Sequence, residues 1–115
     1  MAKYTVSVME ASDLASVVKV IRGVSPLGIG EITKRIGTSK PVVEFDTWAF
    51  PPGTGYENGV PDQQEKITEF LSSLAAAGGK ALVTHRAGQI SEIVSPEMLN
   101  NLFESELIHL SQEHD

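Results

Sequence analysis

The chain has 115 residues, 41% of them hydrophobic, and no cysteine. That is enough for one domain with its own core, and it excludes disulfides, thiolate nucleophiles and cysteine-type zinc sites. All nine Lys and Arg fall within residues 1–86, where nine acids balance them, so the whole formal charge of −6 sits beyond Arg86 on Glu92, Glu97, Glu104, Glu106, Glu113 and Asp115. Such a segment repels phosphate backbones and favours a basic protein partner over nucleic acid. No apolar run approaches the roughly 20 residues needed to cross a bilayer, and Met1 to Tyr4 lack the apolar stretch of a secretory signal, so a cytoplasmic location with no membrane partner is expected.

Tyr4, Val6 and Val8 alternate with Thr5 and Ser7, which predicts a half-buried strand over about Lys3 to Met9. Ser12 reads as an N-cap with Asp13 in the first turn, and Leu14, Val17, Val18 and Ile21 recur at helical spacing up to Gly23. Pro26-Leu27-Gly28-Ile29-Gly30 interrupts that helix, and Ile29, Ile32 and Ile36 restart a second one that Gly37 closes. Pro41 to Trp48 then reads as a second strand, with its proline at the start, where a missing donor is tolerated.

Ala49 to Pro61 collects prolines, glycines, Phe50 and Tyr56, so it is expected to be a rigidified loop that carries aromatic contacts. Asp62-Gln63-Gln64-Glu65 has capping-box spacing and predicts the start of a third helix, buried along Ile67, Phe70, Leu71 and Leu74 and ended by Gly78-Gly79. Lys80 to His85 reads as a third strand, and residues 87–94 stay open between a further strand and a crossing segment. Ser95-Pro96-Glu97 predicts a final helix with its apolar stripe on Leu99, Leu102, Phe103, Leu107 and Leu110, packed on this domain's own sheet or on another chain.

The stretch Val17 to Val43, two short helices around the Pro-Leu-Gly-Ile-Gly turn with Lys19-x-x-Arg22 before it, resembles the helical hairpin of the C-terminal domain of the bacterial ribosomal stalk protein. The resemblance covers residues 3–48 and 62–85, and the same order of elements looks like the related Clp-adaptor fold. It implies an α+β fold: a two-layer strand-helix-helix-strand-helix-strand domain with a three-stranded sheet. This chain adds a loop at 49–61 and an acidic C-terminal extension over 86–115, all within a single domain spanning residues 1–115. In that family a positively charged face docks translation factors, and by position the resemblance carries that face onto Val18, Lys19 and Arg22. Gly30 and Thr33 stand where the family carries lysines, so two charges of that face are missing; with neither the family's N-terminal dimerising helical region nor its Ala- and Gly-rich hinge before the domain, a stand-alone, non-ribosomal relative is expected.

No residue pattern names a reaction. His85, His109 and His114 make no metal-ligand pair, and neither Gly28-Ile29-Gly30 nor Gly53-Thr54-Gly55 continues into a phosphate-binding loop. No metal or cofactor is expected. Three functions follow. The first is a non-catalytic, acidic inhibitor or immunity-type protein that neutralises a basic protein partner, using Phe50 and Tyr56 as aromatic anchors and Glu97, Glu104 and Glu106 for electrostatic steering. The second is a translation-factor-docking module centred on Lys19 and Arg22. The third is a small enzyme using the loop carboxylates Glu44, Asp46 and Glu57.

Overall fold

The computed structural model describes residues 3–38, 40–47, 49, 53, 55–87 and 89–113; the side chains of 56, 57, 87, 96 and 109–113 lie outside that description. Trp48 and Phe50 are outside it altogether. Within it the fold is α+β, in the order β1 (Lys3–Ala11), α1 (Leu14–Arg22), α2 (Ile29–Thr38), β2 (Pro41–Asp46), α3 (Tyr56–Ala76), β3 (Gly79–Ala87), β4 (Ile90–Val94) and α4 (Pro96–Glu113). The sheet is antiparallel with strand order β2-β1-β3-β4.

The alternation in β1 decides which face is covered. Tyr4, Val6 and Val8 are buried, and the cross-strand partners of Val6, Val43 and Val83, join them in one core with Ile21, Ile32, Ile67, Leu74 and Phe103 from the helices. The opposite face carries the row Glu44, Thr5, Thr84 and Ile93, with Ile93 64% exposed. One face therefore packs and the other is solvated, as antiparallel sheets allow.

A bulge lies where β1 meets β2: Val6 pairs with Val43 but Ser7 pairs with Pro41, which leaves Val42 as the extra residue. Val42 and Val43 are both buried for that reason, against a strict alternation. Ser25 uses the bulge, its Oγ donating to the Val42 carbonyl at 2.8 Å and accepting from the Leu27 amide at 3.3 Å. The link between α1 and α2 is thereby pinned to β2.

Four expectations change. Asp13, not Ser12, caps α1: its carboxylate accepts from the Ser16 amide at 3.3 Å and the Ser16 hydroxyl at 2.7 Å, and these bonds hold its pKa below the usual carboxylate range. Ser12 instead donates its amide and hydroxyl to the Gly78 carbonyl. Gly78 sits at φ +91°, and a Cβ there would meet the Ser12 hydroxyl, so the turn that ends α3 needs glycine. The α2 helix runs one residue past Gly37, to Thr38.

The third change is larger. Residues 56–61 are helical, not loop, and the capping-box residues Asp62 and Glu65 lie inside α3. Gly55, at φ +78°, turns the chain into the helix, and the Gly59 amide donates to its carbonyl at 2.8 Å. Pro61 lacks a donor and normally disfavours a helix interior by about 3 kcal/mol. Full burial of Val60 and near-full burial of Gln64 give this segment tertiary contacts that offset the local penalty.

The fourth is the strand count. Residues 90–94 form β4 on β3, through Val83↔Val94 to Ala87↔Ile90, so the sheet has four strands where three were expected. Only Val94 of β4 is buried, so main-chain pairing, not an apolar face, makes the strand. The α4 helix begins as its sequence indicates, Ser95 Oγ accepting from the Met98 amide at 3.2 Å. Its stripe packs on its own domain through Leu99 and Phe103, while Leu107 stays 38% exposed.

Candidate docking surfaces

The two surfaces anticipated from sequence are each divided by the fold. On α1, Val17, Val18 and Ile21 face the core, so Val18 is buried and cannot belong to a docking face. Lys19 and Arg22 are exposed. Lys19 lies at the rim of a cleft of about 640 Å³ between the end of α1, β2 and α3, whereas Arg22 does not line it.

The cleft is built by regular spacing. Gln63, Lys66, Phe70 and Ser73 follow at three- and four-residue steps and make one stripe of α3, with Glu69 beside it. Phe45 of β2 and Phe70 supply the floor, their ring centroids 5.5 Å apart and tilted by 55°. Val20 of α1 and Val24, two residues past its end, form another wall, and Val24 is 46% exposed. Among the described residues neither Lys19 nor Lys66 is in an ion pair. The result is an aromatic and aliphatic trough whose charged lining, among the described residues, is Lys19, Lys66 and Glu69.

Arg35 donates from Nε to Glu31 at 2.9 Å and from Nη1 to the Pro41 carbonyl at 2.7 Å. The hydrogen bond from Arg35 lowers the Glu31 pKa. Arg35 thereby ties α2 to the start of β2, with Glu31 holding its guanidinium from within α2.

On α4, the expected acidic triad splits. Glu97 and Glu104 are exposed, but Glu106 turns inward, accepting from Thr47 Oγ1 at 3.0 Å and Gln64 Nε2 at 2.9 Å. Gln64 also donates to the Phe103 carbonyl at 3.2 Å. Thr47 and Gln64 are buried, so Glu106 is a fastening between α4, α3 and the end of β2. At about 100° per residue, Glu97, Asn101, Glu104 and Ile108 align on the outer face of the helix, and Ile108 is 57% exposed. Tyr56 starts α3, but its side chain, like Phe50, lies outside the described residues.

Tyr4 lies beneath this fastening, 1% exposed. Burial first, and the Glu106 charge second, raise its pKa above the ordinary phenol range. A raised phenol pKa contributes stability that is present below the unfolded value near 10 and is lost as pH rises beyond it, at about 1.4 kcal/mol per pH unit. Tyr4→Phe is therefore expected to flatten the fall in urea midpoint between about pH 10 and 11.5 relative to wild type. Equal slopes for the two proteins would place the alkaline transition elsewhere.

A second cleft, about 560 Å³, lies between α3, β3, β4 and α4 and has no charged lining residue among the described residues. His85 stacks on Tyr4 at 5.0 Å, and its Nδ1 lies 3.6 Å from Glu92. Among the described residues no group of three or more His, Asp and Glu is arranged to hold a metal ion, and no helix is long and apolar enough to cross a membrane. Glu44 is exposed on the open sheet face, and the Glu57 side chain lies outside the described residues. No protein-family model, curated protein or solved structure matches this chain, so the functional reading rests on its own surfaces.

Proposed function

We propose that this chain is a non-catalytic protein-binding domain and that the cleft between α1 and α3 receives an acidic, amphipathic segment of its partner. The observation that carries this is that Lys19 of α1 and Lys66 of α3, without ion-pair partners among the described residues, line the same cleft as the Phe45–Phe70 ring pair. Apolar residues of the incoming segment gain contact area on the rings, and its carboxylates meet two ammonium groups that are still hydrated and need little desolvation. The break between α1 and α2 and the element order through β3 support a stand-alone relative of the stalk-domain fold, in which docking is the role that resemblance implies; β4 and α4 are additions to it.

A second reading keeps α4 as the contact. Glu97, Glu104 and Ile108 on one outer face favour a basic partner of the inhibitor or immunity type, steered by charge and anchored by one aliphatic side chain.

Selection from a displayed library of random helical peptides, followed by calorimetry, separates the two. In the cleft reading the enriched peptides are acidic, and Lys19→Glu with Lys66→Glu weakens them by about tenfold or more, one decade being 1.4 kcal/mol. In that reading Glu97→Lys with Glu104→Lys leaves affinity unchanged. Enrichment of basic peptides with the opposite pattern of loss would replace the cleft by α4.

A further inference from the structure

The chain itself carries a segment with the chemistry that the cleft selects. The outer face of α4 presents Glu97 and Glu104 about two turns apart, with Ile108 a further turn along and 57% exposed. The cleft presents Lys19 and Lys66 against the single acid Glu69 among the described residues, together with Val20, Val24 and Phe45. Acid and base are also segregated along the sequence, every Lys and Arg lying at or before Arg86 and the entire excess of acid after it. The outer face of α4 is turned away from α3 and the sheet, because Leu99, Phe103 and Glu106 face inward. It can therefore meet a cleft only on another molecule.

We infer that the occupant of the cleft is α4 of a second copy of this chain. The inference rests on the docking role proposed for the cleft. Ile108 enters against Val20, Val24 and Phe45, and Glu104, one turn away, lies between Lys19 and Lys66. The two surfaces are different, so the contact is heterologous: each copy offers a helix and receives one, and growth continues unless it closes into a ring or a reciprocal pair. A helix-in-groove contact of this size belongs to the small, weak class of interfaces, so association is concentration-dependent and sensitive to salt.

Sedimentation equilibrium on the full chain tests this. Wild type is expected to show a weight-average mass rising above 12.4 kDa as concentration increases from about 10 µM to about 1 mM, and the rise should shrink as salt goes from about 0.05 to 0.5 M. Lys19→Glu with Lys66→Glu, and separately Glu97→Lys with Glu104→Lys, should each give the monomer mass alone. An equimolar mixture of the two should regain association, because the reversed cleft now fits the reversed helix of the other variant. All four side chains are exposed, and circular dichroism checks that each variant keeps its fold. A wild-type mass that stays monomeric to about 1 mM, or an association that either pair of reversals leaves intact, overturns the self-contact. Failure of the mixture to associate does so too. If selected acidic peptides still bind the cleft while the chain stays monomeric, self-association falls and the docking role stands; if neither occurs, both fall.

Discussion

Replacing Phe103 with alanine is expected to remove about 3–5 kcal/mol of stability, the range for deleting a buried aromatic side chain. Phe103 is 7% exposed and meets Tyr4 edge-on, with centroids 5.5 Å apart and planes at 78°. Tyr4 is itself fully enclosed between this ring and His85, so the lost volume opens inside the core, where neighbours collapse only partly. Native stabilities run from about 5 to 15 kcal/mol, so such a loss is a large fraction of the total. Urea denaturation followed by circular dichroism reads it directly, with the exposed Leu107→Ala as a control expected to fall within about 0.5 kcal/mol of wild type. A loss below about 1 kcal/mol for Phe103→Ala would mean that α4 is an appendage and not a wall of the core.

Glu106→Ala is expected to cost about 2–6 kcal/mol, from two buried donors losing their acceptor at about 1–3 kcal/mol each. Thr47 and Gln64 are 0% and 6% exposed, and both donate to this carboxylate. Glu106→Gln separates hydrogen bonding from charge. Its amide oxygen still accepts from Gln64, and its NH2 donates to a Thr47 hydroxyl that can rotate to accept. Most of the stability should return in that variant. If Glu106→Ala left stability unchanged but abolished partner binding, the residue would belong to a docking face after all. Because Phe103 and Glu106 secure the same helix, their effects are expected to be less than additive.

The parts of the fold legible in the sequence were those where a local signal and burial agree. Tyr4, Val6 and Val8 alternate and are buried; Ser95-Pro96-Glu97 starts a helix; the break carrying Pro26 and Gly28 separates α1 from α2, although Ile29 and Gly30 already belong to α2. Where the two conflict, the sequence misled. Pro61 and the Asp62-x-x-Glu65 spacing look like a helix start, yet Val60 is fully buried and the helix begins at Tyr56. The β4 strand has exposed isoleucines at 90 and 93, so no periodicity announces it. Of the candidate site, Lys19 was visible as an exposed cation on α1, but Lys66, Phe45 and Phe70 reach it only through tertiary packing. The Gln63, Lys66, Phe70 and Ser73 stripe was the one local hint, and Ile67 and Leu74 on the neighbouring buried face masked it. Glu106 could not be told from Glu104 by charge; its position on the Leu99 and Phe103 side of α4 was the available signal.

The docking role of the cleft is tested most directly by mapping amide shifts in the isotope-labelled chain as a selected acidic peptide is added. The shifts should concentrate on Lys19 to Val24, Phe45 and the Gln63 to Ser73 stretch of α3, the segments that line the cleft. They should vanish in the Lys19→Glu, Lys66→Glu variant at the same peptide concentration. Shifts confined to Glu97 through Ile108, or scattered over the open sheet face around Thr5, Thr84 and Ile93, would contradict the account.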